Sequence, residues 1–370
     1  MRSVHVRGSV LATLGVAAVL VVATVATPTS AGAAGTQKVQ VPLHLCASAS
    51  AGQRSCNAMK LVTRQVSSAK AASLRAHGLA RPSKTLGFGP AGGYSPKQLA
   101  AAYKINPGAK TKQTVAIVDA FDNPSVRSDL NAFDHQYGLP KETSTSFKVI
   151  NQDGHASPLP TPDEGWAGEI SLDVQSVRAV CHSCKILLVE ADSNNNSDLA
   201  AAVNQAVKKG AKIVSNSYGG PESHSQQAAY KHKGVAILAS TGDDGWYDWD
   251  NVNGGVASSN KPATPASFPS VVAVGGTSLY LNPNGSRTSE TVWNGNGPAD
   301  LDGASTVAAL GYEPGAAGGG CSTLFEAPAW QQGVLGWAAT GCGTHRLDND
   351  IAAVGDPYTG FDIYSSYKYA

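Results

Sequence analysis

Acidic residues are absent from the first 86 positions. Ten Lys or Arg stand there without a single Asp or Glu, so the rest of the chain holds 18 basic residues against 27 acidic ones. A basic leader ahead of a net-acidic body fits a prosegment that docks electrostatically on the domain it precedes. Aromatic residues are also missing from residues 36–86. Scattered basic side chains with no ring beside them make a poor nucleic-acid surface, which excludes that partner class. Charge is sparse overall, at 15% of 370 residues against 42% hydrophobic, and this composition carries no signature of disorder. It suits one large domain with appendages. No internal repeat is visible.

Long apolar runs are scarce too. The single one, residues 10–26 (VLATLGVAAVLVVATVA), follows Arg2 and Arg7 and precedes Ala31-Gly32-Ala33. A basic start, an apolar middle and an A-x-A site read as a secretory signal peptide over residues 1–33, with a membrane anchor as the alternative. After signal cleavage a secreted, extracellular, monomeric protein without membrane contact is expected. Export favours disulfides among the six cysteines, and local spacing suggests Cys46 with Cys56, Cys181 with Cys184, and Cys321 with Cys342. The C-H-S-C at 181–184 has no second ligand pair, so no metal is assigned to it.

Residues 34–92 read as a short basic prosegment ending in a linker, GFGPAGG at 87–93. Beyond it, buried-strand patterns alternate with amphipathic helices. TVAIVDA (114–120) is followed by a helix from Pro124 to Gly138, then a helix over 163–180 and strand KILLVEA (185–191). Ser197 would cap the next helix and Gly210 end it. Strand AKIVSNS (211–217), a helix near 222–232, strand GVAILAS (234–240) and strand SVVAVGG (270–276) complete the pattern. Such alternation implies an α/β fold with a mostly parallel sheet and helices on both faces. Chemistry in these sheets sits at the carboxyl ends of strands.

The segment VGGTSL (274–279) places Ser278 in a Gly-Thr-Ser setting like that of a subtilisin nucleophile. Leu279, Tyr280, Leu281 and Asn282-Pro283-Asn284-Gly285 then read as a strand entering a hairpin turn, a structural setting for the serine. None of the nine histidines stands in a His-Gly-Thr-His setting. His155 lies in a Gly-Pro-rich loop and His182 between two cysteines, which favours structural placement for both. In GWAGEISLDVQ (165–175), Glu169 and Asp173 are i and i+4 on a helix, with both carboxyls on one face. Crowded carboxyls raise a pKa and hold a shared proton, although spacing alone also allows a solvated helix face. Asp243, in a Gly-rich turn just past strand 234–240, faces a cleft and when protonated would donate to an oxyanion; an ordinary turn aspartate is the alternative. Asp248, Asp250 and Asn253 miss the EF-hand calcium spacing and read as a surface loop.

From about Gly93 onward these pieces together resemble the sedolisin family of serine-carboxyl peptidases. The resemblance rests on Tyr94-Ser95-Pro96 with Leu99 and Tyr103, VAIVDA, the Glu169-x-x-x-Asp173 pair and VSNSYGG (214–220). It continues through GDDG (242–245), FPSVVAVGGTSL (268–279), GGGCS (318–322) with Pro328-x-Trp330-Gln331, and DIAAVGDPYTG (350–360). It implies a subtilisin-like fold over residues 93–370 and a secreted endopeptidase active in acid on proteins or peptides. By position, Glu169 resembles the general base, Asp173 its supporting carboxylate and Asp243 the protonated oxyanion donor. Asp119 resembles an outer member of the proton network, and Tyr218 and Gly219 would line the substrate cleft.

In the family the nucleophile belongs to a second, later Gly-Thr-Ser followed by proline, so Ser278 would be structural. No Gly-Thr-Ser-x-x-x-Pro follows Ser278 in these 370 residues. Ser322, Ser365 and Ser366 are possible substitutes, although Ser322 falls in a motif the family has apart from its nucleophile and the other two lack flanking glycines. The expectation is a peptidase domain cut short before its nucleophile, with the family's calcium ligands beyond Ala370 and no cofactor in this chain. Two alternatives stay open: a non-catalytic remnant or binding protein of the same fold, and a subtilisin-type peptidase using Ser278 with Asp119.

Overall fold

The computed structural model describes residues 35–47, 50–76, 89–246, 262–295 and 315–367. The expected signal peptide and the loop with Asp248, Asp250 and Asn253 lie outside them. The leader forms strand β1 (Thr36–His44), a two-residue strand β2 (Ser55–Cys56), strand β3 (Met59–Ser67) and helix α1 (Ser68–Ala76). β1 and β3 pair antiparallel over their full length. Val39 and Val41 on β1 close over Ala71 and Leu74 of α1, giving this hairpin a small apolar core of its own.

The main body begins with α2 (Pro96–Ala102), where Ser95 and Gln98 form a capping box and Pro96 opens the helix. Then come β4 (Thr114–Ala120), α3 (Val126–Tyr137), β5 (Phe147–Asn151), α4 (Glu164–Val180), β6 (Lys185–Ala191) and α5 (Asn196–Lys208). β7 (Ile213–Asn216), β8 (Tyr218–Gly219), β9 (Ala236–Ser240), β10 (Asp244–Trp246), β11 (Val272–Leu281) and β12 (Arg287–Val292) follow. β13 (Ala316–Gly319), β14 (Cys321–Glu326), β15 (His345–Leu347) and β16 (Ile351–Val354) complete the strands. The central sheet has eight strands in the order β12-β11-β9-β7-β4-β6-β5, with β16 also on β11. All its pairings are parallel except β11 with β12.

Alternation along the strands divides the core in two. Ala116, Val118 and Ala120 of β4, with Leu187 and Val189 of β6, join Leu199, Val203 and Ala206 of α5. Ile117, Ile186 and Leu188 point the other way, into Val126, Leu130 and Phe133 of α3 and Ile170 and Val174 of α4. Helices therefore cover both faces, as the periodicity predicts. Asp119 and Glu190 share the parity of Ile117 and Leu188, and they are register partners on β4 and β6. Both carboxyls consequently face the side of the sheet that carries α4.

Three local expectations need correction. The helix near 222–232 is only a single 3-10 turn at Gln227–Tyr230, because Gln226 takes a left-handed φ of 61° that stops helical propagation. Helix α5 is capped at Asn195 rather than Ser197. Its first amide, from Asn196, donates to Gly52 O at 2.9 Å, so a leader carbonyl helps set where the helix begins. The end of the presumed linker is held in place, since Ala91 and Gly93 donate backbone amides to Asp362 at 2.6 and 2.7 Å.

Candidate active site

Helix α4 starts where Asp163 accepts the Trp166 amide at 3.0 Å, and its buried face carries more than apolar residues. Glu169 is 1% exposed and Asp173 9%. One turn apart, they hydrogen-bond to each other. Ser217, between β7 and β8, donates its hydroxyl to Asp173 Oδ1 at 2.9 Å and Oδ2 at 2.8 Å. Burial, then the neighbouring charges of Asp173, Asp119 and Asp243, pushes Glu169 well above the usual carboxyl range. Burial likewise raises Asp173 to about 7, against the opposing hydrogen bonds from Ser217 and Glu169. The pair therefore holds a proton well above ordinary carboxyl titration.

Asp119, fully buried at the end of β4, finds no hydrogen-bond partner for either oxygen. Burial and the charge of Asp173 raise its pKa strongly. Beside it sequence reasoning missed two further acids. Glu190, fully buried with both oxygens unbonded, is raised to about 9 by burial and then by the charge of Asp122. The signal was present as the one acid inside the apolar strand KILLVEA, where a charge costs several kcal/mol unless it is neutralised.

Asp243 sits in the turn after β9, partly exposed, with Oδ2 sealed from solvent and unbonded. Burial raises it to about 8, the nearby His44 acting against this and Asp244 with it. The turn is clamped from β13: Ala316 N donates to Asp243 O at 2.6 Å and Gly318 N to Gly242 O at 2.8 Å. A Cβ at position 318 would stand 1.8 Å from Thr241 O, so this close approach requires glycine.

The cleft expectation for Tyr218 needs correction. Its side chain is fully buried and donates to Asn216 Oδ1 at 2.8 Å, so its backbone and not its ring borders the site. Gly219 pairs with Ser55 of the leader, and Cys56 with Tyr218. Asn57 continues this line, its amide donating to Ser217 O at 3.1 Å and reaching the Glu169 carboxyl, its Nδ2 donating to Ser240 Oγ at 2.7 Å. Nothing in the local sequence around Asn57 points to that position.

The serines occupy structural places. Ser278 Oγ, buried in β11, donates to Asp356 Oδ2 at 2.7 Å and bonds neither Asp119 nor Glu169. Ser322 Oγ accepts from the Leu324 and Phe325 amides at 3.0 and 2.8 Å. Ser366 donates its hydroxyl to Asp129 Oδ1 at 2.7 Å, and Ser365 Oγ is buried without a partner. His155 lies exposed in its loop, while His182 Nε2 is buried and unbonded beside Arg178. All six cysteines pair as their spacing suggested, 46 with 56, 181 with 184 and 321 with 342. Among the described residues no group of acids, histidines or cysteines has the arrangement of a metal site.

The Subtilase family model matches residues 162–337, from the start of α4 past β14. Sedolisin of Pseudomonas sp. (strain 101) is 29% identical over 76% of this chain, and kumamolisin of Bacillus sp. (strain MN-32) is 32% identical over 73% of it. The chain spans about half the length of these curated relatives, 48% and 47% respectively. Among solved structures, Pseudomonas sedolisin, a serine-carboxyl proteinase complexed with two molecules of pseudo-iodotyrostatin, superposes with a TM-score of 0.60 at 28% identity. That match covers 72% of each chain. Joined to a site built from buried carboxyls in a subtilisin-like α/β fold, this likeness shows that the chain belongs to the sedolisin family.

Proposed function

We propose that this chain carries the acid–base and oxyanion parts of a secreted serine-carboxyl endopeptidase that hydrolyses peptide bonds of proteins in acid. The observation that supports it most is the gathering of Glu169, Asp173 and Asp243, from α4 and the turn after β9, with pKa values raised chiefly by burial. With one proton shared by the pair, Asp173, held by Ser217, keeps that proton while ionised Glu169 takes the proton of the attacking serine, and the negative charge passes to the carbonyl oxygen. Asp243, neutral below about pH 8, donates to the carbonyl oxygen as it becomes an oxyanion. Collapse of the tetrahedral adduct returns the proton from Glu169 to the leaving amine and leaves a serine ester, which water then hydrolyses by the same path. The signal peptide over residues 1–33 sends the chain out of the cell, and residues 34–92 act as its prosegment. Among the described residues no helix is long and apolar enough to cross a membrane.

A second reading is favoured by one observation: among the described residues no serine hydroxyl bonds to Glu169. In that reading the chain binds peptides without cutting them. Hydrolysis of a protein substrate by the 370-residue chain from about pH 3 to 8, beside its Glu169→Ala variant, decides between them. Acid activity lost by at least about a hundredfold in the variant is the expected result for the peptidase. Folded protein without hydrolysis at any pH selects the binding reading, and neutral activity indifferent to the substitution refutes the assigned base.

A further inference from the structure

Arg54 is a buried cation without a counter-charge. It is 3% exposed, and among the described residues no carboxylate forms an ion pair with it. A guanidinium taken out of water is costly to hold unless its N–H donors meet acceptors. The acceptor met here is neutral. Nη1 donates to Pro221 O at 3.2 Å, an oxygen that also accepts the Thr264 hydroxyl at 3.1 Å. The backbone of Arg54 is fixed separately, its amide donating to Asn194 O at 2.9 Å and its carbonyl accepting from Asn194 Nδ2 at 2.7 Å. One asparagine thus holds the main chain, and the side chain reaches the segment after β8 through its own donors.

Two buried tyrosines complete the pocket, and the direction of their hydrogen bonds decides what it can hold. Asn216 Nδ2 donates to Leu238 O at 2.8 Å, so its Oδ1 is the atom that accepts the Tyr218 hydroxyl, also at 2.8 Å. With that proton used, the 3.1 Å contact between Tyr218 and Tyr230 has Tyr230 as its donor. The row therefore runs from Tyr230 to Asn216, and its open end, the Tyr230 oxygen, offers lone pairs and no proton. The positive charge of Arg54 acts on both hydroxyls, against the rise in pKa that burial causes. Tyr218 packs on Trp166 with ring centroids 6.1 Å apart, and Tyr230 on Phe268 at 5.4 Å, which holds both rings in place. Gly220 sets the shape. A Cβ there would come within 2.8 Å of Arg54 Nη1 and 3.0 Å of its Cδ, so the flat side chain lies directly on backbone. A phenolic oxygen and a carbonyl suit the separate N–H groups of a guanidinium, whereas an ammonium offers a single compact centre. A carboxylate, which brings only lone pairs, is refused.

The backbone register gives the pocket its address. Ser55 and Cys56 pair antiparallel with Gly219 and Tyr218, and the Asn57 amide donates to Ser217 O at 3.1 Å and reaches Glu169. Adding a strand to such an edge is how a protein reads an extended peptide through its backbone, with side-chain pockets supplying the selectivity. We propose that Tyr230, Tyr218, Gly220 and the Pro221 carbonyl form an arginine-selective subsite, taking the side chain three residues ahead of the one at Glu169 in an extended peptide. Its use by a peptide rests on the peptide-cleft reading given above, whereas the fit to a guanidinium rests on the contacts of Arg54.

Both tests measure binding and need no nucleophile. In the first, Arg54→Ala empties the pocket of the 370-residue chain, and ethylguanidinium, ethylammonium or ethylurea is added during thermal unfolding. Ethylguanidinium alone should raise the melting temperature saturably, with no shift in wild type, whose pocket is full. Tyr230→Phe in the same chain should weaken that binding about tenfold or more. Where Arg54→Ala refolds poorly, the folded yield recovered with each probe is the readout. No preference for ethylguanidinium over the other two overturns the pocket. In the second, fluorescein-labelled Arg-Ser-Ala-Asn amide and its Lys, citrulline and Glu counterparts are titrated by anisotropy into Arg54→Ala/Asn57→Pro, where proline cannot donate to Ser217 O. The chain's own strand competes with every peptide alike, so the ratio of affinities reads the pocket. The arginine peptide should bind about tenfold or more tighter than the others, and Tyr230→Phe should level the series. Equal affinities across the series overturn the selectivity and leave the peptide cleft standing. Rescue by ethylguanidinium with no peptide bound overturns the subsite and the peptide-cleft reading together.

Discussion

Asp243→Asn replaces a neutral carboxyl by its uncharged isostere, and its effect on stability can be worked from the fold. Burial lifts this carboxyl from an ordinary 3.8 to about 8. Between those values the folded chain holds a proton that the unfolded chain has released, so this residue's stabilisation is full below about pH 4 and is lost as pH rises toward 8. At 1.36 kcal/mol for each pH unit, the loss by pH 7 is about 4 kcal/mol, and partial solvent access trims it to about 3 kcal/mol. Asparagine cannot ionise and escapes that loss. Urea unfolding followed by tryptophan fluorescence, at pH 4 and pH 7, should therefore show wild type losing about 3 kcal/mol more than the variant over this interval. The other buried acids are common to both chains, and of these Glu169 alone is named above as feeling the charge that the variant removes, the smallest of the three charges acting on it. His44 and Asp244, the charged neighbours of Asp243, are likewise common to the two proteins. Equal pH dependence in the two chains would refute a protonated Asp243. So would a variant destabilised only at pH 7, since that is the behaviour of an ionised carboxylate accepting hydrogen bonds.

Two further substitutions separate structure from chemistry. Ser278→Ala deletes the hydroxyl donated to buried Asp356 and removes that hydrogen bond. It should cost about 1–3 kcal/mol in urea unfolding while leaving peptide binding unchanged, and intact stability with lost function would restore Ser278 as a nucleophile. Gly318→Ala forces a methyl against Thr241 O and should displace the turn that carries Asp243. The expected loss is about 1–3 kcal/mol of stability together with a lowered Asp243 pKa, read by carboxyl-carbon NMR titration, and an unchanged titration would refute the clamp.

Much of this was legible locally. The strands at 114–120 and 185–191 show as short apolar runs, and the Glu169–Asp173 pair shows as a spacing of one helical turn, because each depends only on residues a few positions apart. The three disulfides followed from the nearness of each pair along the chain. Legibility failed where a distant residue or a single dihedral decided the outcome. Gln226 cancelled an otherwise plausible helix, and Gly52 helped set the start of α5.

Residue types and periodicity alone determined the layered α/β architecture, the alternation that turns Asp119 inward, and the helix face shared by Glu169 and Asp173. Only tertiary structure decided which carboxyls meet. Asp119 and Glu190 converge because β4 and β6 pair in one register, and Asp243 comes within reach of Glu169 because it follows the carboxyl end of β9, which runs parallel with β7 in the same sheet. It also decided that Tyr218 turns inward and that Asn57 meets Ser217 and Ser240. A local pattern sets which way a side chain points from its own element; parallel pairing between distant strands sets what it meets there.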